Sequence, residues 1–361
     1  MGRGIKRCRR CALPSSYPGI KFNRQGVCNY CVYYDLIKDR DDDIRKYLQK
    51  EITKVIKRIK RRNVKYHCIV AYSGGKDSTF LLYFLKRKFG LNILAHVLDN
   101  GFISNQTRKN IATVTEKLNI DCKITRPPFK ILREIFTYTL TQRTSYPKEI
   151  LAMMSPVCAA CQGIIFGTTI KLAIRLNIPI MFIGYTPGQY PSISLENFLK
   201  VKSNVFLSSK VYKDDPLDII KIVRDPVNEK FGNSIERYYF RSQYIEKNIE
   251  EKVPFIFFPF HFLLDYNEKT IFETIRKLGW ERPKDTDACS TNCLLNTLGN
   301  YACLKQLGYH PYIGEMSALV REGKMSYNDA IKAEYVDANS FAAKYSLKKL
   351  GIKLADIESE K

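Results

Sequence analysis

The chain has 361 residues, 45% of them apolar, and 59 Lys plus Arg against 36 Asp plus Glu, a formal charge of +23. That apolar content excludes a disordered chain, and the length allows one large domain or two to three smaller ones. No apolar run reaches about 18 residues, and the N-terminus MGRGIKRCRRC lacks an apolar signal core, so the expectation is a cytoplasmic protein without a membrane span. The excess of positive charge suits a polyanionic partner, RNA first, although a lysine-rich proteome would give the same high pI.

Four cysteines open the chain. Cys8 and Cys11 form one C-x2-C knuckle, and Cys28 and Cys31 form a second after Gly26. Each knuckle aims two thiolates at one tetrahedral centre, so residues 1–40 are predicted to be a zinc ribbon. A cytoplasmic chain would not keep the alternative, disulfides. The metal would stabilise a segment too short for a core of its own. Residues 41–64 follow as a basic connecting helix. The stretch 50–65 carries eight basic residues and one acid, and Ile52, Val55, Ile56 and Ile59 recur at 3–4 spacing. One face is apolar and the rest cationic, which suits either an RNA contact or a solvated surface helix.

A βα alternation then begins, and 65–215 is predicted to be the α/β domain. HCIVAYS, LNILAHVLDNG, IDCKITRPP and IPIMFIGYTPG are strands. DSTFLLYFLKRKFG, ending at Gly90, NQTRKNIATVTEKLN, FKILREIFTYTLTQR and QGIIFGTTIKLAIRLN are helices. Strands alternating with helices imply a doubly wound parallel sheet covered on both faces. Residues 216–361 form a mostly helical C-terminal region. NEKTIFETIRKLGW and SYNDAIKAEYVDANSFAAKYSLKKLG read as helical, and VPFIFFPFHFLL at 253–264 as a buried strand or loop.

The string S-G-G-K-D-S at 73–78 follows a strand and opens a helix. In that position the amides of a glycine turn join the positive end of the helix dipole to make an anion site. Gly74 and Gly75 let backbone approach phosphate oxygens. Ser73 and Ser78 offer hydroxyls, and Lys76 can neutralise charge on a departing pyrophosphate. Asp77 repels phosphate, so it is assigned to Mg²⁺. The pattern is not G-x-x-x-x-G-K-[ST], which excludes a motor or GTPase of that class.

A second cysteine group lies downstream. Cys158 and Cys161 sit in SPVCAACQG, just before a helix, and Cys289 and Cys293 sit in DACSTNCLL. Four thiolates would make a second zinc site, three would hold an iron–sulfur cluster with one iron open, and two would make a nucleophilic and resolving pair. Spacing does not choose among these. Cys68 belongs to an apolar strand, and Cys122 and Cys303 carry no signal.

The run around S-G-G-K-D-S resembles the pyrophosphatase loop of the N-type ATP pyrophosphatases, or adenine nucleotide alpha hydrolases. That resemblance implies ATP and Mg²⁺ as cofactors and cleavage between the α and β phosphates. A carbonyl-type oxygen of the substrate becomes adenylated, and a nitrogen or sulfur nucleophile displaces AMP. It places Asp99, in HVLDNGF, and Gly184, in FIGYTPG, near the nucleotide. Many relatives carry a G-H-x-x-D type sequence at the latter position; here it is Gly184, Tyr185, Thr186, Pro187 and Gly188, without that histidine and aspartate.

Two branches of the family compete. The chain resembles tRNA sulfurtransferases, which join the loop to a C-x2-C and a distant third cysteine holding a [4Fe–4S] cluster. Cys158 and Cys161 match the pair, and Cys289 or Cys293 the third. That branch implies a tRNA substrate, a sulfur donor and, commonly, a homodimer. The chain also resembles N-acetyl sugar amidotransferases, through CRRCALPSSYPGIKFNRQGVCNYC, HVLDNGFISNQTRKNIATVTEKLNIDCKI and EMSALVREGKMSYNDAIKAE. That branch implies ammonia from a glutaminase partner. The second cysteine group departs from the sugar branch and favours sulfur.

Overall fold

The structure, a computed structural model, describes residues 5–142, 146–186, 226–232, 235, 238, 254–264 and 266–358. Five parallel strands form one sheet: β1 (Cys68–Ala71), β2 (Ile93–Leu98), β3 (Asp121–Thr125), β4 (Ile180–Ile183) and β5 (Phe255–Phe257). Their order is β3-β2-β1-β4-β5, with Val70 opposite both Ala95 and Phe182. The winding reverses between β1 and β4, the place where such sheets open a crevice at the carboxyl ends of their strands. The fifth strand comes from the stretch read as buried strand or loop.

The sequence explains why the sheet is covered on both faces. β2 reads ILAHVL and is buried throughout, as expected of a strand between two helical layers. Side chains alternate along β1. Cys68 and Val70 join a core with Leu81, Leu82 and Leu85 of α2 (Lys76–Phe89) and Val114 of α3 (Asn105–Leu118). Ile69 turns to the opposite face, against Phe166 and Ile170 of α6 (Pro156–Arg175). Each such side chain contributes about 1.5–3 kcal/mol on burial.

The N-terminal segment feeds one long helix, α1 (Asn29–Lys60). The second cysteine knuckle and the basic stretch therefore share a single element. Ile52 and Ile56 are buried in the first core, with Val55 and Ile59 packed at its edge, so the 3–4 spacing marks the docked face. α4 (Phe129–Thr141) and the short α5 (Lys148–Leu151) precede α6. Ser155 caps α6 by accepting from the Cys158 N–H at 3.3 Å. The cysteine pair thus lies inside the helix rather than ahead of it. α6 is, among the described residues, the one helix long and apolar enough to span a membrane; 61% of that apolar window is buried, and it packs on β1, β2 and β4.

After β5 come α7 (Pro259–Phe262), α8 (Glu268–Arg276), α9 (Asn296–Leu307), α10 (Ile313–Arg321), α11 (Tyr327–Lys332), α12 (Phe341–Leu350) and α13 (Leu354–Glu358). The long helical stretch read from residue 326 onward is two helices, because Ser326 and Ser340 each supply a separate N-cap.

Candidate active site and metal centre

A cavity of about 710 Å³ lies at the switch point, bounded by the glycine loop, the start of α6, the ends of β2 and β4, and the 288–293 loop. Among its lining residues are Lys76, Asn100, Cys161, Tyr266 and Cys293.

The loop is held in shape from three sides. Gly74 has φ +77°, and a Cβ there would meet Thr107 Cγ2 at 2.6 Å, so only glycine fits. The Gly74 carbonyl accepts from Trp280 Nε1 at 2.9 Å. Trp280 is the single tryptophan of the chain and is buried. Ser73 Oγ accepts from the Gly75 N–H at 3.2 Å and lies 3.1 Å from Ser78 Oγ. The Lys76 N–H, at the start of α2, donates to Thr291 Oγ1 at 3.0 Å. Two amides at a helix N-terminus thus meet hydroxyl oxygens, the kind of acceptor a phosphate presents. Thr291 sits between Cys289 and Cys293, so the cysteine loop rests directly on the glycine loop.

Lys76 Nζ donates to Asp77 at 2.9 and 3.0 Å and to Tyr266 Oη at 2.6 Å. Burial pulls its pKa down, but Asp77 and Tyr266 outweigh that and hold the ammonium charged, with its pKa raised. Burial raises Asp77, against the pull of Lys76.

The structure separates the two downstream cysteines. Asn100 Nδ2 lies 3.6 Å from Cys161 Sγ and 3.7 Å from Cys293 Sγ. Cys158 Sγ lies 3.7 Å from Asn296 Oδ1 and is close enough to Cys293 to feel its charge. Cys158, Cys161 and Cys293 therefore gather on one wall. Cys293 reaches it because residues 292–294 pair with 102–104: Ser104 N–H donates to Asn292 O at 3.0 Å and Leu294 N–H to Phe102 O at 2.9 Å. Cys289 also lines the cavity, but its sulfur lies 3.6 Å from the Ala333 carbonyl, beside Glu315, and touches neither Asn100 nor Asn296 among the described residues. Burial pushes the Cys158 thiol up to about 12 and raises Cys161 and Cys293 too. Three half-buried thiols of this kind ionise when a cation compensates them. Among the described residues they do not close to single-ion spacing, and a cluster larger than one ion suits a wider triad. Cys68 and Cys303 are buried elsewhere, and Cys122 is exposed.

Two residues read from the strand ends sit differently from the loop. Asp99 is buried beneath Arg108, at 2.6 and 3.1 Å, and Arg126, at 3.1 Å. Burial would raise its carboxyl, but these guanidiniums and the Gly101 N–H hold it below the usual range. Its neighbour Asn100 faces the cavity. Gly184 ends β4 against the first turn of α2. A Cβ there would stand 3.1 Å from the Ser78 backbone nitrogen, so glycine lets the strand end close on the loop. Thr186 hydrogen-bonds Glu315; Pro187 and Gly188 lie outside the described residues. Asn100, Tyr266, Trp280 and Thr291 carried no motif in the sequence. Only the single tryptophan and the strand-end position of Asn100 hinted at a role.

At the N-terminus the sulfurs of Cys8, Cys11, Cys28 and Cys31 all lie within 4.8 Å of one another and are buried. Cys8 and Cys31 are 3.8 Å apart, and Cys11 and Cys28 3.6 Å. A tetrahedron with Zn–S bonds of about 2.3 Å has sulfur–sulfur edges of about 3.8 Å, so the set fits zinc. The knuckles dock on the C-terminal helices. Arg7 forks onto Glu334 at 2.8 and 2.7 Å, and Tyr17 Oη donates to the Ala152 carbonyl at 3.1 Å.

The chain is thus an α/β fold like that of PP-loop proteins: a parallel sheet of this order, with S-G-G-K-D-S between its first strand and the helix that follows, and with a zinc-ribbon-like head. No family model matches the chain. A stretch of 77 residues is 39% identical to an uncharacterized protein of Methanocaldococcus jannaschii, covering 21% of this chain and 28% of that one. Among solved structures, the chain is similar to a U34-tRNA thiolase of Methanococcus maripaludis solved with its [4Fe–4S] cluster. Identity there is 15% and TM-score 0.35, over 99% of this chain and 97% of that one. It is also similar to NMN synthetase of Francisella tularensis (13%, TM-score 0.36, 88% and 97%). A third is a predicted subunit of tRNA methyltransferase from M. jannaschii (16%, TM-score 0.31, 68% and 90%).

Proposed function

We propose that the protein uses ATP to adenylate a carbonyl-type oxygen of an RNA, releasing pyrophosphate, and then replaces that oxygen with sulfur. One observation carries the reading: the glycine loop and the thiols of Cys158, Cys161 and Cys293 face a single cavity. In this scheme the Gly75 and Lys76 amides receive phosphate oxygens in place of the Ser73 and Thr291 hydroxyls. The substrate oxygen attacks the α-phosphorus, the α–β bond breaks, and pyrophosphate leaves against Lys76. Asp77 is the carboxylate at hand for Mg²⁺. Adenylation converts a poor oxide leaving group into AMP, and a sulfur nucleophile then takes its place on carbon. Cys158, Cys161 and Cys293 would hold a [4Fe–4S] cluster, which supplies an open, soft iron site for sulfide. Asn100 fixes two of those thiols by its amide.

The sugar amidotransferase reading shares the first half of this chemistry. Ammonia, however, attacks an adenylated carbon without help from thiols, and three half-buried thiols on the wall of the cavity would then have no task. The two readings separate in one experiment. Anaerobic protein is given ATP with either a transcribed tRNA and sulfide or an N-acetyl sugar and ammonium, and the products are analysed by mass spectrometry. The expected result is a thionucleoside from sulfide that is lost in Cys158→Ser. Product with ammonium, undiminished in Cys158→Ser, would overturn the sulfur reading.

A further inference from the structure

We infer that Phe341 and Tyr345 form a platform on which an unpaired base of the substrate RNA stacks, with Arg108, Arg126 and Lys349 meeting the adjoining phosphates. This rests on the RNA reading proposed above and goes beyond it by naming where the RNA lands.

The two rings lie one turn apart on α12, 5.9 Å between centroids and 25° between planes. Phe341 is 62% exposed and Tyr345 37%. The same helix buries Ala342, Ala343, Ser346 and Leu350, so the fold does not need the aromatic face. Two parallel rings kept in water offer π surface to any base, whatever its sequence. The platform is joined to the cavity through few contacts. Tyr345 packs on the edge of Phe102, at 6.5 Å and 87°. The Phe102 N–H donates to Asn100 Oδ1 at 2.9 Å, and the Asn100 amide reaches the sulfurs of Cys161 and Cys293.

Charge around the rings fits a polyanion. Two guanidiniums, Arg108 and Arg126, share the one buried carboxylate of Asp99, and their side chains stay 41% and 64% exposed. Lys349 Nζ lies over the rings of Phe102, Phe129 and Tyr345 at 5.2, 5.0 and 5.3 Å. It donates to the Gly101 carbonyl and, at 3.1 Å, to Tyr345 Oη, and among the described residues it meets no carboxylate. Asp99 follows β2 and Arg126 follows β3, so the Asp99–Arg108–Arg126 group stands at the carboxyl edge of the sheet, next to Asn100, which lines the cavity. A base on Tyr345 with its phosphates at Arg108 and Arg126 would leave the neighbouring nucleotide free to enter the cavity.

The test is fluorescence anisotropy with a short fluorescein-labelled single-stranded RNA and with a transcribed tRNA at fixed salt. Phe341→Ala with Tyr345→Ala is expected to weaken both by roughly tenfold or more, because base–aromatic stacking is lost. Phe341→Tyr with Tyr345→Phe keeps the rings and is expected to bind as the wild type does. ATP binding without RNA should be unchanged in both. Should the double alanine variant misfold, Phe341→Ala alone, at the more exposed ring, is expected to weaken binding several-fold. An alanine variant that binds as tightly as the wild type overturns the platform and leaves the RNA reading standing. A wild-type protein that binds neither RNA overturns both.

Discussion

Lys76 meets three groups at once: both oxygens of Asp77, the Tyr266 hydroxyl and, at 3.6 Å, Glu268. Its charge is therefore held at the mouth of the loop before any triphosphate arrives, which is what transition-state stabilisation by a fixed cation requires. Lys76→Ala is expected to lower pyrophosphate release by about 10²–10³-fold. Trp280 supplies an independent reading of occupancy, because its indole bonds the Gly74 carbonyl. ATP should change the tryptophan fluorescence of the wild type and still do so, at higher concentration, in Lys76→Ala. A mutant that releases pyrophosphate at the wild-type rate would mean that the loop is not the phosphate site. Loop residues were legible because S-G-G-K-D-S encodes its own local geometry. Tyr266, Trp280 and Thr291 were not, because each reaches the loop from about 190 residues or more away in the chain, and no local pattern carries such a contact.

At the scale of elements, the cysteine knuckles and their helix behave as one unit. Spacing made the four ribbon cysteines legible, since a C-x2-C turn fixes two sulfurs by itself. Which of Cys289 and Cys293 lies beside Cys158 and Cys161 was not legible. It is set by the pairing of 292–294 with 102–104, a contact made across the fold. The helix start at Pro156 was missed because Ser155, rather than the apolar period, sets it. The apolar face of the basic helix, by contrast, was read residue by residue, and Ile52 and Ile56 are buried as its spacing requires. The ribbon has little core beyond its four buried cysteines and its dock, so a zinc ion held by them would carry its stability. A strong chelator is expected to remove about one zinc per chain, lower the melting temperature and open residues 5–31 to protease. Protein that contains no zinc, or that melts identically after chelation, would contradict this reading.

For the whole molecule, two buried histidines set the acid limit of stability. His96 lies between Thr169 and Thr125 at 2.7 and 2.8 Å. His310 is buried beside Tyr312. Burial lowers each from 6.5 to about 4. The unfolded chain therefore binds more protons between those values, and stability falls as pH drops through that window. Each histidine contributes on the order of 3 kcal/mol above it. Denaturant midpoints should be flat above pH 6.5 and decline below it, with the decline halved in a His96→Gln variant that keeps the threonine contacts. An equal decline in the variant would assign the acid sensitivity to other groups.

The sheet class was legible from alternating strands and helices, while the fifth strand, three residues long, gave no period to read. What joins these scales is one cavity shared by the glycine loop and three thiols. Iron and acid-labile sulfide, measured after anaerobic reconstitution of the wild type, Cys289→Ser and Cys293→Ser, test that most directly. About four irons per chain are expected in the wild type and in Cys289→Ser, with loss in Cys293→Ser. Zinc in place of iron, or equal loss in both variants, would contradict the shared site.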